Sequence, residues 1–191
     1  VLGPITLLVN AAGGDIAAKG GKPSPNTALG ISIVDIRALL NRNLVGTMLM
    51  CQAVVPGMIA RRAGSVVNIA STAGHFGTSP EVAYSTIKAA IVHFTRCLAF
   101  ETRPHYVRVN CVSPGATATE FAGVAGNDKS PLFKSGGVAT AEAVAREAYT
   151  AMKAGKPLVV HGFKNEAGVQ ALRVSPRSAI LKIAAKLNKP A

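Results

Sequence analysis

Short apolar runs alternate with longer stretches in which apolar residues recur at helical spacing along this chain of 191 residues. Each short run ends in glycine, proline or small polar residues, a pattern typical of buried parallel strands. The long stretches begin beside residues that can cap a helix, and Ser32 or Asp35 can cap the first. The pattern predicts strands at 5–10, 65–70, 107–112 and 157–161, and helices from 33 to about 62 with a kink at Pro56, at 81–103 and at 140–154.

The order of these elements indicates the fold class. Strands that alternate with helices form a parallel sheet with right-handed crossovers and helices on both faces, so we predict an α/β domain. Because neither a repeat nor an interdomain linker is visible, we expect residues 1–191 to form one domain. The polar, glycine-rich stretch 120–137 is too long for a simple connection and is predicted to be a substrate lid. Residues 163–191 are predicted to form a basic helical extension, interrupted at Pro176.

The chain is strongly basic, and its charge is unevenly distributed. It carries 21 basic and 9 acidic residues, a net charge of +12. Residues 153–191 hold eight of the basic residues and one acidic residue. Such a tail can contact anionic membranes or acidic carriers, although a solvated face is the commoner role. No nucleic-acid-binding motif is present, so we expect no nucleic-acid partner.

One stretch has the length of a short membrane span. Residues 43–60 contain no charged side chain. The stretch includes Asn43, Gln52 and Pro56, so a buried core helix is the better interpretation. Membrane contact by the basic tail is the less favoured alternative.

Cysteine and histidine residues are too scattered to suggest a metal site. Cys51, Cys97 and Cys111 lie far apart, and no CxxC motif or His/Cys cluster occurs. We expect these thiols to be small buried residues in a reducing compartment, which predicts a cytoplasmic protein. The chain begins with Val1 rather than methionine, so we expect a further segment to precede it in the parent gene.

Small and polar residues follow the predicted strands, at the sheet edge where α/β proteins bind ligands. The next helix adds Tyr84 and Lys88, which are four residues apart and so share one helix face. A nearby ammonium favours the phenolate, so Lys88 is predicted to lower the pKa of Tyr84 and make it a proton-transfer group. Ser71 could then hold a substrate carbonyl, although Tyr84 and Lys88 alone are more often an ordinary surface pair. The residues at the strand ends are Asn10, Gly13, Ser71, Pro114, Gly115, Thr117 and Thr119.

Five short motifs occur in a characteristic order. They are Asn10-Ala-Ala-Gly13, Asn43-Leu-Val-Gly46, Asn68-Ile-Ala-Ser71, Tyr84-x-x-x-Lys88 and Asn110-x-x-Ser-Pro-Gly115, with Ser71 thirteen residues before Tyr84. In this order and spacing the chain, from about residue 2 to 164, resembles the short-chain dehydrogenase/reductase family. The stretches 120–133, 155–162 and 164–165 are similar to its broad-specificity reductase branch.

The resemblance implies a Rossmann-like fold and a hydride transfer between NAD(P)(H) and a carbonyl or alcohol substrate. Tyr84 would be the general acid/base, Lys88 would lower its pKa and bind the nicotinamide ribose, Ser71 would orient the carbonyl, and Asn43 would hold a water that links Lys88 to bulk solvent. Asn43 could instead relieve a helix bend, and Ser71 could simply cap a turn. The residues that would line the cofactor, NADP or NAD, are Asn10, Ala11, Gly13, Tyr84, Lys88, Pro114, Gly115, Thr117 and Thr119, with Thr119 at the carboxamide.

The resemblance also implies self-association. In members of the family, two long helices, here at about 33–62 and 82–103, bury against copies of themselves. A homodimer or homotetramer is therefore expected.

The sequence departs from the family pattern in one respect. The motif T-G-x-x-x-G-x-G, whose backbone amides hold a pyrophosphate, does not occur, and the first three of the usual seven strands have no counterpart. We therefore expect a bare apolar edge on the strand at 5–10 and weakened cofactor binding. The chain is then a fragment of a longer reductase or a short version with altered cofactor binding. A non-catalytic oligomeric scaffold and a basic binding module remain the alternative functions.

Overall fold

A four-stranded parallel sheet forms the centre of the structure, a computed structural model that describes residues 3–77, 80–119, 138–176 and 179. The strands are β1 (Leu7–Asn10), β2 (Gly64–Ile69), β3 (Val107–Ser113), β4 (Thr117–Ala118), β5 (Ala139–Thr140) and β6 (Leu158–Val160). The order in the main sheet is β1-β2-β3-β6, and β4 pairs with β5 in a separate short ladder. All pairings are parallel, which confirms the predicted α/β class.

The helices begin and end close to the predicted positions. They are α1 (Ile33–Leu40), α2 (Gly46–Arg61), α3 (Val82–Thr102), α4 (Ala141–Lys153) and α5 (Phe163–Val174). Ser32 caps α1 by accepting a hydrogen bond from the backbone N–H of Asp35 at 3.1 Å. A π-helical turn at Asn41–Val45 joins α1 to α2, whereas α2 continues as an α-helix through Pro56. The irregularity in this long helix therefore lies at the π-helical turn.

Helices cover both faces of the sheet. Met58 and Cys51 of α2 pack with Leu8, Val66 and Val109 of the strands, and α3 completes this larger cluster. On the opposite face a smaller cluster brings Met152 of α4 against the strands. The smaller cluster leaves the region between α4 and β1 open.

Strand β1 lies at the edge of the main sheet, as predicted. Among the described residues, only β2 pairs with it. Ile5, Leu7 and Val9 are exposed to 54%, 42% and 52% on and beside this strand. An apolar strand edge of this kind can pair with another strand.

One helix, the continuous segment Ile33–Arg61, is long and apolar enough to cross a membrane by length and composition alone. One side of this helix packs on the sheet through Cys51, Val55 and Met58. The other side exposes Leu49 and Met50. The sheet contacts agree with the interpretation of a core helix.

Three expectations need correction or fall outside the described residues. Cys51 and Cys111 are buried as expected, but Cys97 is exposed because it lies on the outer side of α3. The predicted lid at 120–137 and most of the tail beyond Pro176 lie outside the described residues. The short ladder of β4 with β5 was not predicted from the sequence.

Candidate active site

A cleft of about 550 Å³ opens at the carboxyl ends of β1, β2 and β3. The sheet forms its floor, the first turns of α3 form one wall, and α4 forms the other. Polar groups are concentrated near α3, whereas the remaining lining is mostly apolar. The predicted site residues that line this cleft are Ala11, Gly13, Ser71, Tyr84, Lys88, Pro114, Thr117 and Thr119.

Tyr84, Lys88 and Ser71 meet in this cleft. The Lys88 ammonium lies 5.6 Å from the centre of the Tyr84 ring. Its Nζ donates to the carbonyl of Ile69 at 3.0 Å, which fixes the side chain against the end of β2. The Ser71 hydroxyl forms a hydrogen bond with the phenol of Tyr84 and also accepts one from the N–H of Ala73. Ser71 thus caps a turn and faces Tyr84 as well.

The electrostatics of Tyr84 differ from the sequence prediction. Burial raises the pKa of Tyr84 above its ordinary value, the hydrogen bond with Ser71 opposes this shift, and the charges of Glu81 and Asp15 add to it. Lys88 does not reverse this shift, and burial lowers the pKa of the amine itself to about 8. The net shift of the Tyr84 pKa is therefore opposite to the predicted one. At neutral pH the phenol is a proton donor.

Asn43 holds the Gly13–Gly14 turn, which follows β1, through hydrogen bonds. Its Oδ1 accepts from the N–H of Gly14 at 2.8 Å, and its Nδ2 donates to the carbonyls of Gly14 and Leu39 at 3.0 and 2.9 Å. A Cβ on Gly13 would lie 2.4 Å from Asn43 Oδ1 and 3.5 Å from Lys88 Nζ. Asn43, Gly13 and Lys88 are therefore neighbours, and only glycine leaves room at position 13.

Two of the residues predicted to line the cofactor, Asn10 and Gly115, do not line the cleft. Asn10 is buried on the α2 side of the sheet, where its Nδ2 donates to Asn68 Oδ1 at 2.8 Å. Its side chain therefore joins β1 to β2 rather than lining the cleft. Gly115 lies against α5, where a Cβ would come within 2.6 Å of Asn165 Nδ2. Gly115 thus allows the close approach of α5 and does not line the cleft.

The sequence interpretation missed the apolar wall of the cleft. The wall consists of one face of α4 together with the outward side chains of β1. The spacing of apolar residues along α4 was the available signal, because it marks one helix face. The wall residues are Leu7, Val9, Ala141, Val144, Ala145, Ala148, Tyr149 and Met152.

The lining fits the nicotinamide–ribose half of a dinucleotide. Gly13 and Ala11 allow a flat ligand to approach the backbone at the end of β1. Lys88 places an ammonium beside Tyr84, where it would meet the ribose hydroxyls. Thr117 and Thr119 add hydroxyl groups to the lining.

Comparison with known proteins places this arrangement in a family. The sequence profile of the short chain dehydrogenases matches residues 1–130. The chain belongs to this family. The chain is also 37% identical over 120 residues to the 3-oxoacyl-[acyl-carrier-protein] reductase of Bos taurus, which covers 63% of this chain and 47% of that protein. The chain spans about half the length of the curated relatives it matches.

Solved structures of the family share the fold. A short chain dehydrogenase from Burkholderia cenocepacia in complex with NADP superposes with a TM-score of 0.77 at 25% identity and covers 97% of this chain and 70% of its own. A 3-oxoacyl-[acyl-carrier protein] reductase with bound NAD from Brucella melitensis gives a TM-score of 0.65 at 27% identity and covers 81% of this chain and 60% of its own. The predicted Rossmann-like family fold is thereby confirmed.

Proposed function

We propose that this chain carries the catalytic half of an NAD(P)(H)-dependent carbonyl reductase. The observation that supports the proposal best is the convergence of Ser71, Tyr84 and Lys88 in one cleft, with Asn43 behind Gly13. Membership of the short chain dehydrogenase family and the cofactors named for the two solved relatives agree with it.

Each group has a separate task in this proposal. A bound nicotinamide supplies the hydride. Tyr84 donates a proton to the carbonyl oxygen, since the phenol is protonated at neutral pH. Ser71 orients that oxygen through its hydroxyl, and Lys88 holds the ribose hydroxyls. Asn43 holds the Gly13–Gly14 turn and, as the sequence resemblance implies, a water beside Lys88.

The substrate proposed for the first assays is a 3-oxoacyl thioester. The Bos taurus and Brucella melitensis relatives are named for the reduction of such compounds. The apolar wall of the cleft suits an acyl chain, because apolar surface is buried favourably there. NADPH and NADH are both to be tested, since the two solved relatives differ in the cofactor they hold.

Tyr84→Phe tests the proposal. The variant removes only the hydroxyl, so we expect kcat/KM for ketone reduction to fall about 100-fold or more while nucleotide binding is retained. Turnover is measured at millimolar NADPH and NADH, and binding by isothermal titration calorimetry.

Tyr106→Phe is the matched control, because Tyr106 is an exposed tyrosine between α3 and β3, lies outside the cleft lining and is given no part in proton transfer. Its activity should match that of the wild type. Full activity in Tyr84→Phe would falsify the mechanism. No nucleotide binding by the wild type, with clean folding, would support the scaffold alternative.

A further inference from the structure

The loop that follows β3 is held by hydrogen bonds to all four of its carbonyl groups. We call residues 113–116 the strand-end loop, from which Pro114 lines the cleft. Each of its carbonyls accepts a hydrogen bond of 2.9 to 3.1 Å. From residue 113 to residue 116 the donors are the N–H of His161, the N–H of Thr72, Oγ1 of Thr117 and the N–H of Ala139. The position of this loop therefore depends on three other segments of the chain.

Asn165, in the first turn of α5, contacts the strand-end loop from outside the cleft lining. Its Nδ2 donates to the carbonyl of His161 at 2.8 Å. A Cβ built on Gly115 would lie 2.6 Å from Nδ2, 3.5 Å from Cγ and 3.7 Å from Oδ1 of Asn165. A Cβ built on Gly162 would lie 3.4 Å from the same Nδ2. The amide group of Asn165 therefore lies between two glycines, one in the strand-end loop and one directly before α5.

Gly115 is required for space rather than for its backbone conformation. Its φ lies outside the left-handed region, so a positive φ is not what requires glycine at this position. A Cβ there would come within 2.6 Å of Asn165 Nδ2, closer than real Cβ atoms approach other atoms. An added methyl group must therefore displace either the Asn165 amide or the strand-end loop. The position of the loop is thus coupled to the Asn165 side chain.

We propose that Asn165 is a positioning residue of the cleft, whose amide, between Gly115 and Gly162, holds the strand-end loop in the position in which Pro114 supports a bound nicotinamide. This inference rests on the proposed reductase function, because it gives the loop a part in nucleotide binding. Asn165 does not itself line the cleft. It acts through the strand-end loop.

Hydrogen exchange of backbone amides, measured by nuclear magnetic resonance on the full chain without nucleotide, tests whether Asn165 holds the loop. The N–H groups of Thr72 and Ala139 donate to loop carbonyls and report on the loop. The N–H of Ala70 donates to the carbonyl of Val112, within β3, at 2.7 Å and serves as the internal reference. In Asn165→Ala we expect exchange at Thr72 and Ala139 to be about ten-fold faster, because the loop opens more often. Exchange at Ala70 should be unchanged, which separates a local effect from a loss of global stability.

A double-mutant cycle tests the contact between the loop and α5. Gly115→Ala should speed exchange at Thr72 and Ala139 about as much as Asn165→Ala does, because the added methyl group displaces the same contact. In the double variant the methyl group enters the space left by the amide. Exchange should therefore be no faster than in either single variant. Additive effects of the two substitutions would overturn the proposed contact.

Nucleotide binding tests the role of the loop in the cleft. In Asn165→Ala we expect Kd for NADPH and NADH, measured by isothermal titration calorimetry, to rise about five-fold, because binding must then order the loop that holds Pro114. Gln170→Ala is the matched control, since Gln170 is an exposed amide side chain five residues further along α5. Its replacement should change neither the Kd nor the exchange rates.

The outcomes separate this inference from the proposed function. Unchanged exchange at Thr72 and Ala139 in Asn165→Ala, or equal acceleration at Ala70, overturns the inference even where ketone reduction is normal. Local acceleration with an unchanged nucleotide Kd overturns it too. Local acceleration in a chain whose wild type binds no nucleotide upholds the contact of α5 with the loop and rejects the reductase. If Asn165→Ala does not fold, Asn165→Ser replaces it in each comparison.

Discussion

Lys88 shows how a residue of the candidate site can oppose folding. The amine is 5% exposed, and no carboxylate pairs with it in the described part of the chain. Burial lowers its pKa from 10.5 to about 8. Between these values the unfolded chain binds the proton more tightly than the folded chain. The free energy of unfolding therefore rises with pH in this window, and the full cost of the buried charge is present below pH 8.

Lys88→Met should remove this cost. We expect the variant to be more stable than the wild type at pH 7.5 by on the order of 1 kcal/mol, after the loss of the bond to the carbonyl of Ile69. As pH rises from 8 towards 10.5, the free energy of unfolding of the wild type should rise. The stability difference between Lys88→Met and the wild type should therefore shrink. Urea unfolding at pH 7.5 and 9.5 measures both values. Lys153→Met, at an exposed position on α4, should show no such pH dependence, and a constant difference for Lys88→Met would contradict the argument.

The protonation of Tyr84 could not be predicted from its spacing to Lys88. Four residues along a helix place the two side chains on one face, and the structure confirms this placement. The pKa depends in addition on burial and on Asp15, which lies 69 residues earlier in the chain. Local spacing determines which groups meet. It does not determine the solvent exposure and distant charges that set their pKa values.

At the scale of elements, local signals predicted most boundaries. The four strands of the main sheet and the helices were found within about two residues, because apolar runs, Ser32 and the prolines act on their immediate neighbours. The π-helical turn was not found, since it accompanies the bonds from Asn43 to Gly14, 29 residues away. The sequence also did not predict that the Asn10 side chain lies on the α2 side of the sheet. Side chains alternate along a strand, so the face that Asn10 shares with Leu8 was set by the register of β1 in the sheet.

The edge of β1 provides a prediction at this scale. Leu7 is 42% exposed on a strand that pairs on one side only within the described residues. A lysine at an edge strand discourages pairing with other chains. We therefore expect Leu7→Lys to slow aggregation of the isolated chain several-fold at 37 °C, measured by light scattering, without changing its circular dichroism.

Leu29→Lys is the matched control for this edge effect. Leu29 is fully exposed, but it lies in the loop before α1 and on no strand. Its replacement removes an exposed leucine and adds the same charge, so aggregation should continue at nearly the rate of the wild type. Equal slowing by both variants would show that general surface hydrophobicity, rather than the strand edge, drives aggregation.

At the scale of the whole molecule, the proposed catalytic residues and the unpaired edge strand β1 line one cleft. Ser71, Tyr84 and Lys88 occupy its α3 side, whereas Leu7 and Val9 of β1 leave its other side apolar and open. The relatives that share the fold are longer, and this chain covers 70% of the Burkholderia cenocepacia structure. The proposed catalytic residues are thus brought together within this chain. The given sequence, however, lacks the glycine-rich motif whose backbone amides hold a pyrophosphate.

The outer sides of α2 and α3 carry exposed apolar side chains, and the predicted self-association can be tested at this surface. Leu49, Met50 and Phe100 are exposed to 57%, 48% and 84% on these two helices. Association of copies through this surface would bury the three side chains, which favours a dimer or tetramer in solution. Leu49→Glu places a charge on this surface, whereas Leu29→Glu adds the same charge to a distant loop. Sedimentation velocity should show a smaller species for Leu49→Glu alone. A wild type that is monomeric at all concentrations, or equal sedimentation of the two variants, would rule this surface out as the interface.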